Sequence, residues 1–486
     1  MNERVRLPSW PLGPVQAIAE ARGIRLWLVG GVVRDALLGR PLHDWDFAVE
    51  QDGLGLARAV ADALHGAYYP LDTERDTGRV VLHPTDGPAL TLDFARLRGP
   101  DLEADLHGRD FTLNAMAIGP EGELIDPLGG LEDLQARRIR ALSPKALDDD
   151  PLRMLRAVRL VAEIGLHLEP DTAGWIAGRA ATLTRASAER IREEFVRLLA
   201  APTPARHLHL LDELGLLVQV IPETAPLKGQ RQTAPHRFDV WWHTLHTVET
   251  AAGVLDGLTG QPPHTFYTDA PAWAWEEITR TLARFAPAAL PPQRSLFILA
   301  ALCHDLGKPL TAKEEEGRLH FYGHEDVGAG IAAERLRALR FSNAETERVR
   351  QAVAAHLRPS HLAQAAEPPT RRAIYRYFRD LGDVGVEVVL LSLADHLATW
   401  GANLQVALWE RWLGTAETLL EHYFEHHTRT VAPPPLVNGQ ELMAALNLLP
   451  GPEVGRLLAA IREAQAAGEV HSREEALSLA RRLMHS

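Results

Sequence analysis

Two aspartates two residues apart, Asp44 and Asp46 in HDWDFAV, are the first residues of this 486-residue chain whose types and spacing could do chemistry. In an extended strand, positions i and i+2 share a face, so both carboxylates would converge. Such a pair repels itself unless a cation lies between, and hard carboxylate oxygens suit Mg²⁺, which also binds nucleotide phosphates. Just upstream, Gly30 and Gly31 permit a tight turn at which backbone N–H groups can approach a phosphate, and Arg34 adds a fixed positive charge in the helix expected to follow. A D-x-D pair by itself is usually a solvated turn. It is the conjunction with the glycine pair, the arginine and the apolar run IRLWLVG (24–30) that points to a bound nucleotide.

A second group lies in DDDPLRMLRAVRL (148–160). Read as one helix, it puts Asp150 and Arg153 on one face. A carboxylate accepts from an exocyclic amino group, and a guanidinium donates to a ring nitrogen or carbonyl. Cytosine and adenine match that pattern, whereas uracil and guanine would leave a buried charged group unpaired. Arg156 and Arg159 continue the spacing toward a triphosphate or an RNA primer; a solvated Arg-rich helix is the plainer reading.

A third set is a series of imidazoles and carboxylates: His243 and His246 in VWWHTLHTVET, His304 and Asp305 in LCHDLGKPLT, His324, His356, His361 and Asp395. Lone histidines are mostly core or surface residues. As ligands, imidazole and carboxylate suit Mn²⁺, Fe, Ni²⁺, Co²⁺ or Zn²⁺ without selecting among them. Lys308, after HDLG, is placed to orient a phosphate, and Cys303 reads as a small core residue.

The elements that must position these groups change character along the chain. The runs 24–30, 79–83, 90–95 and 112–118 are strand-like, and the first 140 residues read as α+β. Beyond Ser143 apolar residues recur at helical spacing, with Pro151 at one helix start and Gly165 at its end. Pro- and polar-rich passages at 222–236 and 430–435 mark boundaries, and 260–293 marks an insertion. The expected fold is α+β, with a small N-terminal sheet with helices, an all-helical neck and body, and a further helical domain carrying the histidines. The expected divisions are 1–142, 143–225, 226–433 and 434–486.

Composition limits the functions open to the chain. Hydrophobic residues make up 46 %, enough for several cores, and no apolar run is expected to approach the length of a membrane span. The start, MNERVRLPSW, lacks the apolar stretch of a secretory signal, and the single cysteine fits a reducing compartment, so a cytoplasmic location is expected. A net charge of −13 excludes indiscriminate coating of nucleic acid. Between Gln135 and Leu210, however, 13 Lys and Arg face 9 Asp and Glu, a local surplus of 4 where RNA phosphates could bind.

The pattern GG-x-V-R-D-x-L-L-G-R-x-x-x-D-x-D after an apolar strand resembles the nucleotidyltransferase motif of the polymerase-β superfamily, in the branch of bacterial tRNA nucleotidyltransferases and poly(A) polymerases. GRDFTLNAMAI (108–118), IDPLGGLEDLQARRIRAL (125–142), the 148–160 motif and ASAERIREEFVRLL (186–199) extend the resemblance over much of the chain. It implies transfer of a nucleotide from CTP or ATP to a tRNA 3′ end by Asp44 and Asp46 with Mg²⁺. It further implies that Arg109 contacts the triphosphate, Asp110 and Asn114 the ribose, and that Asp150 and Arg153 template the base. Asp93, in LTLDFAR, is either a third carboxylate or a structural aspartate.

The histidine series resembles the HD phosphohydrolase superfamily. Position by position it implies His243, His304, Asp305 and Asp395 around one metal, with His324 and His356 bringing a second, and leaves His246 and His361 without a place. A third implication concerns the twelve residues between Arg96 and Arg109, LRGPDLEADLHG. Family members that add the terminal A usually have a longer, flexible connection there, so its shortness resembles the CC-adding type. Complete CCA addition is the alternative. Poly(A) synthesis lacks a basic C-terminal extension to hold arbitrary RNA. Two readings from other classes are an HD hydrolase whose first half only senses nucleotide and a non-catalytic RNA-binding module. The C-terminal helices are expected either to hold tRNA or to pack on the body.

Overall fold

A computed structural model describes residues 5, 7–84, 87–365 and 367–484. The chain divides into two compact units: residues up to 186 with 213–216, and residues 187–212 with 217 onward.

The first unit is built on a seven-stranded sheet of β1 (Leu26–Val29), β2 (Asp44–Val49), β3 (Ala67–Asp72), β4 (Thr77–Leu82), β5 (Leu90–Arg96), β6 (Ala117–Ile118) and β7 (Leu124–Ile125). Its order is β3-β4-β5-β2-β1-β6-β7. β2 and β5 run parallel, and the other pairs are antiparallel. Alternation in β2 explains the site it carries: Trp45 and Phe47 are buried, and Phe47 stacks on Phe94 of β5 with ring centroids 4.9 Å apart. Burying those rings turns Asp44 and Asp46 to the opposite face.

The expected strand over 112–118 is only partly one. Thr112–Asn114 form a 3-10 turn, and β6 keeps the last two residues. The Thr112 hydroxyl donates to Asp133 at 2.7 Å, a side-chain bond outside any ladder. A further short strand, β8 (Arg138–Ile139), pairs in parallel with β9 (His167–Leu168), beyond the next long helix.

That helix, Leu152–Ile164, begins after Pro151 and stops at Gly165, whose φ of 70° is open to glycine without strain. Its buried face carries Leu152, Leu155 and Val158. Asp150 is not on this helix, contrary to the expectation of a shared face. It closes the preceding helix Pro144–Asp149 in extended geometry, because Pro151 disfavours helical backbone in the residue before it. Proximity survives through a turn, in which Arg153 N donates to the Asp150 carbonyl at 3.0 Å.

The second unit is helical. Val240–Leu258, Arg294–Cys303, His324–Ala338, Asn343–Ala355 and Val384–Trp400 form its centre. The expectation about apolar runs needs correction: Val384–Asn403 is long and apolar enough to span a bilayer. Most of it is buried in this bundle, and it carries Asp395, so its apolarity is that of a core helix. Near the C-terminus, Gly439–Leu446, Pro452–Ala467 and Arg473–Met484 enclose a small core around Leu442, Leu457 and Ile461. Arg372 and Arg376 pair with Glu463 and fasten this core to the helix Arg371–Leu381.

Candidate active site and metal centre

In the first unit the parallel register sets Asp46 directly beside Asp93, and Asp44 beside Thr91. Three carboxylates therefore occupy neighbouring positions on one sheet face. Arg79 of β4, the register partner of Asp93 on its other side, clamps that carboxylate with bonds of 2.7 and 2.8 Å. Among the described residues the carboxylates of Asp44 and Asp46 have no hydrogen bond or ion pair. Burial pushes the Asp46 carboxyl up to about 6. Asp93 and Asp44 add to the rise, and Arg109 and Arg79 oppose it. Mutually repelling, unpartnered carboxylates fit a divalent cation. Asp93 is the residue whose role the sequence leaves open, since a strand's neighbour across a crossover has no local signature.

The glycine turn lies against the same group. Gly30 has φ 77°, and a β-carbon there would come within 2.9 Å of Arg109 Nη1 and 3.4 Å of Asp46 Oδ2. Glycine is thus needed twice, for the backbone angle and for the space. The helix Gly31–Leu37 starts at the turn and carries Arg34, which is buried, forks onto Asp35 and donates to Asn114 Oδ1 at 2.8 Å. Asn114 donates in turn to Asp110 at 3.0 Å, and Asp110 accepts from Arg156 at 3.1 Å. Asp110 stays ionised although burial opposes it, because Arg156, Asn114 and the Phe111 N–H favour the carboxylate.

The arginines of the 148–160 motif divide their work. Arg153 donates to the carbonyls of Arg109 at 3.0 Å, Gly108 at 3.1 Å and Ala146 at 3.2 Å, which ties the helix Leu152–Ile164 to the Arg109 loop. Asp150 accepts from the Leu152 N–H at 3.2 Å. Arg159 is buried and pairs with Glu163 one turn on. Asp105 is a residue the sequence did not single out. Its Oδ2 takes both Nε and Nη2 of Arg109, at 3.1 and 2.9 Å, and leaves Nη1 toward Gly30.

In the second unit six of the eight residues of the histidine series come together, and His246 and His361 are in neither group. His243, His304 and Asp395 offer ligand atoms within 4.8 Å of one another, and so do Asp305, His324 and His356. Asp305 joins the two triads: Oδ2 is 3.2 Å from His304 Nε2, and Oδ1 is 3.3 Å from His324 Nε2. His304, His324 and His356 each place Nδ1 against the carbonyl three residues back, at 2.8, 2.7 and 2.6 Å. A carbonyl accepts only, so each Nδ1 carries the proton and each Nε2 lone pair faces the cluster.

The Nε2 atoms of His304 and His243 are 3.4 Å apart, and among the described residues both oxygens of Asp305 and Nε2 of His324 are buried without a hydrogen bond. The Lys308 ammonium stands 2.7 Å from Asp305 Oδ2 as an ion pair outside hydrogen-bonding alignment, and donates to Gln232. Burial pushes His356 down to about 3, so it remains a neutral ligand. A buried nitrogen-and-oxygen set with converging lone pairs fits divalent metal ions. His246 stands outside both triads, with its ring 4.5 Å from that of Phe238. His236, absent from the sequence-based set, packs edge-on against His243 at 5.0 Å.

Family descriptions match along the chain: a poly A polymerase head domain over residues 26–140, a probable RNA and SrmB-binding site of polymerase A over 165–228, an HD domain over 272–400 and a tRNA nucleotidyltransferase domain 2 over 417–480. The chain is 36 % identical to an A-adding tRNA nucleotidyltransferase of Deinococcus radiodurans over 94 % of both chains. It is 37 % identical to a CC-adding tRNA nucleotidyltransferase of Thermus thermophilus, over 92 % of this chain and 91 % of the relative. Among solved structures, a CCA-adding enzyme with CTP matches at TM-score 0.65 and 19 % identity, covering 100 % of this chain and 99 % of that one, a likeness of fold.

Proposed function

Because the chain belongs to the tRNA nucleotidyltransferase family and is a nucleotidyl-transferring enzyme, we propose that it adds CMP from CTP to the tRNA 3′ end, stopping after two cytidines. The tRNA 3′-hydroxyl attacks the α-phosphate, the new phosphodiester forms, and pyrophosphate leaves. Asp44 and Asp46, with Asp93 beside them, would hold Mg²⁺, which lowers the pKa of the hydroxyl and neutralises charge on the phosphates when bound. Arg109, aimed by Asp105, and the Gly30–Gly31 turn receive the triphosphate. The chain from Arg34 through Asn114 and Asp110 to Arg156 presents its polar atoms to the ribose and phosphates. Asp150 and Arg153 read the amino and acceptor edge of the base, and an incoming cytosine takes the place of the carbonyls that now occupy Arg153.

One observation carries the choice of CC addition. The connection after Arg96 folds into a helix, Leu102–His107, N-capped by Asp101 at 2.9 Å and pinned through Asp105 to both Arg98 N and Arg109. A connection so tied gives no long lever for reorienting the template from C to A. The proximity of an A-adding and a CC-adding relative at nearly equal identity makes activity the deciding measurement. Labelled CTP and ATP are offered with tRNA transcripts ending at the discriminator base, at C and at CC. CMP incorporation into the first two alone supports the reading. AMP incorporation onto the CC transcript replaces it with A addition or, if CMP is also added, with complete CCA addition.

A second activity is favoured by the two joined triads of the second unit: hydrolysis of phosphomonoesters or cyclic phosphodiesters by a centre holding Mn²⁺, Fe, Ni²⁺, Co²⁺ or Zn²⁺. We infer that it clears blocking phosphates from RNA ends in the same cytoplasmic compartment. Metal-loaded protein carrying Asp44→Ala should hydrolyse 2′,3′-cyclic or 2′-phosphates. Hydrolysis of neither removes this second activity from the reading.

A further inference from the structure

Phe238 is 37 % exposed, yet it is not an isolated surface ring. It ends a row of three: its centroid lies 4.5 Å from that of His246, and His246 stacks in turn on Tyr267 at 6.3 Å. The Arg237 guanidinium stands over Phe238, 5.1 Å from its centroid, and forks onto Asp269 with bonds of 2.6 and 2.7 Å. Behind the row, Glu249 is buried on the helix Val240–Leu258. It accepts from the N–H groups of Phe266, Tyr267 and Thr268, which fixes the insertion that supplies Tyr267 and Asp269.

The row is fastened to the two triads. Gln232 accepts from Lys308 Nζ at 2.7 Å and donates to the Phe238 carbonyl at 3.3 Å, and Lys308 is itself 2.7 Å from Asp305 Oδ2. His236 packs on His243 at 5.0 Å, and the two residues of chain from His236 to Phe238 span at most about 7 Å. Asp239 caps the helix by accepting from Trp242 N at 2.8 Å. A hydrophobic residue just before such a cap often packs on the fourth helical residue, here His243. The Phe238 ring lies against His246, three residues further on. A phosphate at the triads has no use for planar rings, whereas a nucleobase stacks on aromatic faces and on guanidinium planes whatever its identity. One nucleotide is enough to reach from the triads to Phe238.

We propose that Phe238 and Arg237, backed by His246 and Tyr267, form a nucleobase-stacking subsite of the histidine–aspartate centre, so that its substrate is a nucleotide with its base on Phe238 and its phosphate at the two triads. This rests on the hydrolase reading of the second unit and names the part of the substrate that the reading leaves open. A free nucleotide and the last nucleotide of an RNA present the same base and phosphate, and the test separates the two sources.

The full chain loaded with Mn²⁺ is compared as wild type, Phe238→Ala and Phe238→Trp. KM and kcat are measured for 2′,3′-cyclic AMP and 2′-AMP, for an RNA oligomer with the same ends, and for methyl ribosides with the same phosphates, which lack a base. Independently of turnover, an oligomer ending in 4-thiouridine 3′-phosphate is photo-cross-linked to the wild type and the attached peptide is identified by mass spectrometry. Phe238→Ala should raise KM for the nucleotides and the oligomer about tenfold, the scale of one lost base stack. Its kcat, its metal content and its KM for the ribosides should stay within about twofold of wild type, and Phe238→Trp should keep the nucleotide KM. The cross-link should fall on the peptide that carries Phe238. A loss with the free nucleotides alone names them as the source. A loss with the oligomer alone places Phe238 on an upstream nucleotide and overturns the assignment. Unchanged nucleotide KM, an equal loss with the ribosides, loss of metal in both variants or cross-links only elsewhere overturn it and leave the hydrolase reading standing. Hydrolysis of none of these compounds by the wild type overturns the hydrolase reading and this proposal together.

Discussion

The two carboxylate-bearing centres solve the same electrostatic problem in opposite ways. In the head, Asp44 is exposed, Asp46 half-buried, and Arg79 already neutralises Asp93, so the cation site stands open on a sheet face. In the helical unit, His243, His304, Asp305 and His356 are at most 2 % exposed, and their ring protons are spoken for by helix carbonyls or their nitrogens by one another. The open site suits an ion that arrives and departs with each nucleotide. The closed one suits a resident metal, because stripping it leaves buried, unpaired polar atoms.

That contrast can be broken most severely at Asp46. Replacing it with alanine should reduce nucleotide incorporation by about 10³-fold or more, as loss of a ligand to catalytic metal does, while hydrolysis of a cyclic phosphate by the same preparation is unchanged. Conversely, Asp305→Ala should remove metal from the purified protein, read by elemental analysis, and abolish phosphate hydrolysis. Incorporation into tRNA should remain within about twofold, since the two centres use different residues. If Asp305→Ala silences both activities in a protein that is still folded by circular dichroism, the centres are not independent.

Substitution at the base-reading position comes next in size. Arg153→Ala should cost about 10- to 100-fold in discrimination between CTP and UTP, the scale of one charged hydrogen bond to a base, measured as the ratio of kcat/KM for the two. Asn114→Ala, which interrupts the chain from Arg34 to Asp110, should raise KM for CTP by about three- to tenfold. A larger fall in kcat than in binding would place Asn114 closer to the reacting atoms than its bonds suggest.

The smallest effect sharpens the account of the open site. Asp46 has its carboxyl raised from 3.8 to about 6 by burial and by Asp93. The folded state therefore binds this proton more tightly than the unfolded chain, and stability from this group falls as pH rises from about 4 to about 6, with the whole penalty present above that window. Without Mg²⁺, Asp46→Asn should melt a few degrees higher than wild type at pH 7.5 and show little gain at pH 4. Mg²⁺ should stabilise wild type at pH 7.5 more than at pH 5, and an equal response at both would separate Asp46 from the ion.

Several elements are legible in the sequence alone. Alternation puts Asp44 and Asp46 on one face, Pro151 and Gly165 bound the helix between them, and the six residues that the HD resemblance assigns to metal converge in two triads. Other elements are not. The 112–118 run has strand-like composition, yet its first residues turn because Thr112 bonds to a side chain twenty-one residues away in sequence. Spacing from Arg153 alone sets Asp150 on the same helix, and the proline between them decides otherwise. The apolar stretch at Val384 could be weighed only once its surroundings were visible.

By itself, the sequence determined which side chains could bind metal and phosphate, because periodicities of two and of three to four residues follow from local backbone geometry. Only the tertiary structure decided that Asp93 stands beside Asp46, that Asp105 aims Arg109, and that Asp305 joins two triads drawn from separate helices. Those are long-range pairings. They are chosen by the burial of whole faces, such as Trp45 and Phe47 against Phe94, and a residue's partner across a sheet or bundle leaves no mark in the stretch that contains it.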